Sequence, residues 1–314
     1  MDKNTYKRYL RTRHWQQLRQ EVLRRADGRC EKCGYQPWKP NGLQVHHLTY
    51  KNVGSEKMDD LIVVKIGGNA ISQLKPAFFE KLKYWKHLGK KVLIVHGGGP
   101  NISKLCEKMG IPAEKKHGIR VTSKEVLELM KLVLLGESQP ELIEKLTEHG
   151  LPVSPLSCAC SHLLEGKYLD EAKYGSVGMV TKVNKMAIAG ALWQRIGVMA
   201  PMCVTEDGKW LNVNADSCAC SIASLLHAEA LYLLTDVAGV MENGQVIPKL
   251  DRTYCSELFA KKVITAGMQP KLNAAFTAQA MGVAHVIITD DLDNHGTEIV
   301  KEEEDDDAAC VSNV

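Results

Sequence analysis

From Leu61 onward the chain alternates short apolar runs with amphipathic stretches, and this alternation restricts the fold more than any other feature. The apolar runs cover residues 61–65, 91–96, 196–200, 230–235 and 285–289. Each has strand length, and several are rich in Val and Ile. Helical patterns over 75–88, 101–109, 123–135 and 216–226 lie between them. Strands that alternate with helices predict an α/β fold with a mainly parallel sheet, covered on both faces. Ligands in such sheets collect beyond the carboxyl ends of the strands, so the polar residues after each apolar run are the candidates for chemistry.

Charge divides the chain before that point. Residues 1–60 hold 13 of the 40 Lys/Arg and 7 of the 37 Asp/Glu, leaving 27 against 30 for the rest. The head is therefore basic and the body mildly acidic, and only the head has a charge that attracts nucleic acid. The expected organisation is a basic segment 1–60, an α/β domain 61–300 and a solvated acidic tail 301–314. No apolar run nears the ~20 residues of a membrane span, and the N-terminus lacks a signal-like apolar core, so a cytoplasmic location is expected. In that compartment the ten cysteines are expected as reduced thiols rather than a disulfide framework.

Within the head, residues 5–26 predict a helix with Trp15, Leu18 and Val22 on one face. A Cys30-Glu31-Lys32-Cys33 knuckle follows, then His46-His47. This order resembles the HNH endonuclease finger, which implies His46 as a metal ligand and His47 as a general base. The finger needs a second cysteine pair and a further histidine, and Val64-Lys65-Ile66-Gly67-Gly68 stands in their place. Two thiolates do not close a tetrahedral zinc site. The expected role of the head is a basic extension, with any nucleic-acid contact made through charge alone.

In the body, Lys65-Ile66-Gly67-Gly68 places a mobile cation beside a turn whose amides can approach an oxyanion. His96-Gly97-Gly98-Gly99-Pro100 opens a helix, a ready anion site. Arg120, in Gly118-Ile119-Arg120-Val121-Thr122, offers a fork that matches a carboxylate. Asn212-Val213-Asn214-Ala215-Asp216 alternates in polarity, which puts Asn212, Asn214 and Asp216 on one strand face or makes Asp216 a helix cap. No Walker A or G-x-G-x-x-G pattern is present.

Taken in order, VVKIGG, HGGGP, GIRVT, NVNAD, LLTDVAGV and GMQPK resemble the acetylglutamate kinases of the amino-acid kinase family over about residues 61–300. The resemblance implies an αβα three-layer sandwich, with an N-terminal lobe for the acyl amino acid and a C-terminal lobe for ATP. It implies transfer of the γ-phosphoryl group of ATP to the side-chain carboxylate of N-acetyl-L-glutamate, a step of arginine biosynthesis. Lys65 and Lys271 are then the catalytic cations and Asp216 their orienting carboxylate. Gly98, Gly99, Arg120 and Asn212 match the acyl-amino-acid contacts. Gly67, Gly68, Asp236, Val237, Ala238, Gly239, Val240, Met241, Val263, Ile264 and Thr265 match the nucleotide contacts. Mg²⁺ is expected on the phosphates rather than in a protein cage, and a homodimer or larger homo-oligomer is expected from the family. The alternatives are a nucleic-acid-binding or nuclease role of the head, or a kinase-fold protein with weakened catalysis.

Some residues depart from the family pattern. Ser157-Cys158-Ala159-Cys160-Ser161 recurs as Ser217-Cys218-Ala219-Cys220-Ser221. A Cys-x-Cys pair can bind soft metals or cycle in redox, but cysteines serving as small buried residues is the expectation here. Ser176 and Met179 stand where the family carries aromatic and acidic residues, and Ala266 replaces a glycine or acidic residue. These changes bear on substrate affinity.

Overall fold

The computed structural model describes residues 10–25, 58, 60–116, 118–264 and 268–302. The predicted metal-finger residues Cys30, Cys33, His46 and His47, the nucleotide candidate Thr265, and most of the acidic tail lie outside them.

Eight strands form one sheet: β1 (Leu61–Ile66), β2 (Lys91–His96), β3 (Val153–Leu156), β4 (Ile196–Met199), β5 (Ala230–Leu234), β6 (Lys249–Leu250), β7 (His285–Thr289) and β8 (Thr297–Ile299). Their order is β6-β8-β7-β5-β1-β2-β4-β3. Every neighbouring pair is parallel except β7 with β8. All six residues of β1 are buried, as a central parallel strand covered on both faces requires. Successive β1 residues feed two cores. Leu61 and Val63 pack with Leu93 and Val95 on one face, while Ile62, Val64 and Ile66 pack with Val92 and Ile94 on the other. Two separate cores on one sheet make the expected three-layer sandwich.

Among the described residues, the α-helices longer than one turn are α1 (Arg13–Arg25), α2 (Pro76–His87), α3 (Gly99–Lys108), α4 (Lys124–Val133), α5 (Gln139–Glu148), α6 (Lys185–Ala191), α7 (Ala215–Leu226), α8 (Arg252–Ala260) and α9 (Gln269–Ala280). Phe78, Phe79, Leu82 and Trp85 of α2 and Leu142 and Leu146 of α5 cover one face. The other carries α3, α4, α7 and α9, together with a second sheet that the sequence reading lacks. That sheet runs Trp210–Asn212, Met202–Val204, Leu164–Tyr168, Gly178–Val183. In the head, α1 starts later than the predicted helix; it packs against α6, with Trp15 buried.

One local prediction is overturned. Asn212, Asn214 and Asp216 do not share a strand face, because the strand stops at Asn212. Nor does Asp216 cap the helix: Asn214 Oδ1 accepts from the Ser217 amide at 3.1 Å and starts α7, leaving Asp216 in its first turn. An asparagine cap satisfies an otherwise orphaned helix donor, and here it wins over continued β alternation.

Candidate active site

Three elements end at one point. β1 delivers Lys65, the first turn of α7 delivers Asp216, and the first turn of α9, entered through Pro270, delivers Lys271. Asp216 Oδ1 accepts from Lys65 Nζ at 3.0 Å and from Lys271 Nζ at 3.0 Å. The three side chains are only 11%, 15% and 11% exposed, so solvent screens this charge weakly. Burial favours protonation of Asp216, yet the two ammonium groups overcome it and hold the carboxyl below its ordinary range. Burial, with repulsion from Lys65, lowers the Lys271 pKa against the pull of Asp216. Two cations share one carboxylate, so the cluster keeps a surplus positive charge for an incoming anion.

The glycine turns after β1 and β2 lie against each other. A Cβ on Gly68 would stand 2.8 Å from Gly98 Cα and 2.9 Å from Gly98 N, which is backbone that cannot step aside. On the far side, a Cβ on Gly98 would meet Leu134 Cδ2 at 2.8 Å. These glycines are required by the close approach of two backbones. Gly68→Ala forces the turns apart, and kcat/KM is expected to fall about 100-fold while the fold persists by circular dichroism.

His96, at the end of β2, is fully buried, with Nδ1 3.2 Å from the Gly97 carbonyl and Nε2 unpartnered. Burial lowers its pKa to about 4. The unfolded chain, with histidine near 6.5, therefore binds the proton more readily. The neutral ring's contribution is complete above about pH 6.5 and is lost as pH falls toward 4, by about 3 kcal/mol. Urea unfolding at pH 7 and pH 4.5 should show that loss in the wild type, with a distinctly smaller one in His96→Leu. Equal losses would contradict this reading.

Arg120 is buried beside the second turn. Its Nη2 donates to the Gly99 carbonyl at 3.0 Å and to Ser103 Oγ at 2.8 Å, while Nη1 is buried without a partner. Desolvation lowers the Arg120 pKa, but a guanidinium stays charged at neutral pH. Thr122 Oγ1 donates to the Arg120 carbonyl at 2.9 Å and accepts from Asn212 Nδ2 at 3.0 Å, tying Arg120 and Asn212 into one wall.

Two cavities meet at Lys65, Gly67, Gly68 and Pro100. The smaller, about 270 Å³, is lined by all four predicted acyl-amino-acid residues, Gly98, Gly99, Arg120 and Asn212, and by Asp216. The sequence reading missed Ile102, Met130 and Leu134, which give it an apolar patch. The larger, about 500 Å³, is lined by Lys271, Thr235 and Asp236 beyond β5 and by Asp290 and Asp291 beyond β7. The rule about strand carboxyl ends could have found that aspartate pair. Lys75 Nζ lies 3.5 Å from Asp290 and 3.7 Å from Asp291.

The predicted nucleotide residues split. Asp236 faces the larger cavity, and Val237, Met241 and Val263 are exposed. Val240 and Ile264 are buried in the core, and the Val240 amide donates to Thr297 Oγ1 at 2.8 Å. Gly239 packs against the same residue: a Cβ there would stand 2.7 Å from Thr297 Oγ1. Val240, Ile264 and Gly239 thus turn their side-chain positions inward, away from the cavity.

Of the repeated cysteines, Cys158, Cys218 and Cys220 are buried as expected, whereas Cys160 is exposed. Burial raises the thiols of Cys158 and Cys203 to about 12 and those of Cys218 and Cys220 further, which keeps them protonated and unreactive. Among the described residues no three His, Cys, Asp or Glu side chains form a metal-holding group, and no helix is long and apolar enough to cross a membrane.

This geometry has relatives. The amino acid kinase family pattern matches residues 60–290. The chain belongs to the amino acid kinase family. Among its relatives in the family is the acetylglutamate kinase of Lactiplantibacillus plantarum, 47% identical over 245 residues that cover 78% of this chain and 99% of the relative. The acetylglutamate kinase of Leuconostoc citreum is 43% identical over 76% of this chain and 98% of its own. The crystal structure of smu.665 from Streptococcus mutans superposes with a TM-score of 0.72 at 41% identity, covering 77% of this chain and 99% of that one. An N-acetylglutamate synthase from Neisseria gonorrhoeae shares the fold at a TM-score of 0.66 and 20% identity, over 79% of this chain and 61% of that one.

Proposed function

We propose that residues 61–300 form an ATP-dependent acetylglutamate kinase domain, which moves the γ-phosphoryl group of ATP onto the side-chain carboxylate of N-acetyl-L-glutamate. The observation that carries this reading is the Lys65–Asp216–Lys271 cluster at the meeting of a small cavity and a larger one. Two anions must approach each other there, and the transferring group spreads negative charge over its oxygens. Catalysis of such a step is mostly positioning and positive charge. The acceptor carboxylate is already ionised at neutral pH, so no general base is needed.

Lys65 serves the phosphoryl group from the acceptor side and Lys271 from the nucleotide side. Asp216 fixes both and keeps them charged. The unpartnered Nη1 of Arg120 supports a carboxylate ligand in the small cavity, and Ile102, Met130 and Leu134 suit its acetyl methyl. Arg120→Lys, which loses the fork, is expected to raise the KM for N-acetyl-L-glutamate roughly 10- to 100-fold with kcat little changed. Steady-state kinetics in the acceptor check this.

Mg²⁺ fits this donor set as an ion carried on the triphosphate, with Asp236 the carboxylate beyond β5 nearest in kind to its needs. It would neutralise phosphate charge. A homodimer or larger homo-oligomer is part of the same reading, and sedimentation velocity tests it. The activity test is ADP release with N-acetyl-L-glutamate, glutamate, aspartate and UMP as acceptors. Turnover should be fastest with the first. Tight ATP binding without turnover on any acceptor would instead make this a binding member of the family.

A further inference from the structure

A third cavity, about 650 Å³, runs along α7 and borders the small cavity at Gly118, Ile119, Val213 and Asn214. Its floor is the α7 face with Ser217, Cys220, Ser221 and Ser224. One side is α9 with Asn273, Ala274 and Thr277, and the other is the strand start with Val177, Met179 and Val180. Exposed Leu169, Met179, Leu225 and Met281 rim it. The two cavities of the proposed active site carry Lys65, which this one lacks, and no Asp, Glu, Lys, Arg or His lines it among the described residues. Its sole ionisable lining group, the Cys220 thiol, is held protonated by burial.

A stripe of small residues on a helix is ordinary packing, but one atom here is not. Ser224 is only 3% exposed, lines the cavity, and its Oγ is buried without a hydrogen-bond partner. A buried hydroxyl left unpaired costs on the order of 1–3 kcal/mol, and a ligand acceptor would relieve that cost. The remaining polar groups, on Asn214, Ser217, Ser221, Gln269, Asn273 and Thr277, are neutral. A charged ligand would have to shed its hydration against walls that offer no counter-charge. A neutral one sheds little and gains the apolar contact of the methionine and leucine rim. The volume is that of a small-molecule site.

We propose that this groove is a binding site for a neutral, largely apolar small molecule bearing one hydrogen-bond acceptor, which takes the Ser224 hydroxyl proton. The site adjoins the small active-site cavity, with which it shares Gly118, Ile119, Val213 and Asn214, but it lacks that cavity's Lys65, Arg120 and Asp216.

The probe is 6-propionyl-2-dimethylaminonaphthalene, a neutral fluorophore with one ketone, titrated with the full chain. Expected is a saturable blue shift of its emission that survives saturating ATP and N-acetyl-L-glutamate. Thr277→Trp and Met281→Arg, at exposed rim positions, should abolish it while circular dichroism stays unchanged. Ser224→Ala should weaken binding about fivefold. The anionic 1-anilinonaphthalene-8-sulfonate should bind more weakly than the neutral dye. Absence of a shift, displacement by either substrate, equal binding in both rim variants, or tighter binding of the anion would each overturn the proposal. Because the readout is fluorescence, its failure is distinct from failure of the kinase reading.

Discussion

Lys65→Ala is expected to lower kcat for phosphoryl transfer on the order of 10³-fold, with the KM values for ATP and acceptor changed far less. Lys65 is buried and sits where the two active-site cavities join. Charge there acts on the group in flight more than on either bound reactant, so its removal costs transition-state stabilisation. Losing one preorganised donor from such a site costs about 10²–10³ in rate, and a full positive charge on a phosphoryl group reaches the upper end or beyond. Lys65→Arg should recover little, because the planar fork cannot replace a point charge within 3.0 Å of Asp216. A variant that kept near-normal kcat while its ATP KM rose would instead make Lys65 a ground-state contact.

Asp216→Asn is expected to damage both activity and stability. It leaves two ammonium groups about equally close to a neutral amide, in a site that screens poorly. Breaking a buried ion pair by removing one partner costs about 3–5 kcal/mol. Lys271, whose pKa is already lowered by burial and Lys65, then loses its proton more readily. The alkaline limb of the kcat profile should move to lower pH, and kcat at neutral pH should fall at least about 100-fold. The stability effect has its own pH signature. The Asp216 pKa is below its unfolded value, so the pairing is fully stabilising above the ordinary carboxylate range and is lost as pH falls through the folded value. Denaturant unfolding should find the wild-type advantage complete at pH 7 and shrinking below about pH 4. An advantage that stayed constant into strong acid would place the effect in packing rather than charge.

The sheet was legible where the chain is buried on both faces. β2 and β7 match their predicted spans, and β1, β4 and β5 match to within one residue, because central parallel strands are unbroken apolar runs. The short strands β3, β6 and β8 were not legible. β3 reads Val-Ser-Pro-Leu at the sheet edge, and β6 is two residues long, so neither has a period to detect. The second sheet was missed for a similar reason, since three of its four strands have five residues or fewer.

The site divides in the same way. Lys65, Arg120, Asn212 and Lys271 stand out through motif order, and the fold brings them to two adjoining cavities. What the motifs could not provide was spatial pairing. The contact of Gly68 with Gly98, the sharing of Asp216 Oδ1 by two lysines, and the placement of Asp290 and Asp291 beside Lys75 join residues far apart in the chain. The nucleotide loop shows what a motif leaves out. A motif gives every residue in it the same weight, whereas Val240 turns into the core and Asp236 turns out.

The most direct test of the account is product identity. Phosphoryl transfer to a side-chain carboxylate makes an acyl phosphate, which hydroxylamine traps as a hydroxamate. With Mg·ATP and N-acetyl-L-glutamate, ADP and hydroxamate should appear in equal amounts, and both should fall together in Lys65→Ala and Lys271→Ala. ADP released without hydroxamate, or hydroxamate formed at undiminished rate in both lysine variants, would contradict the account.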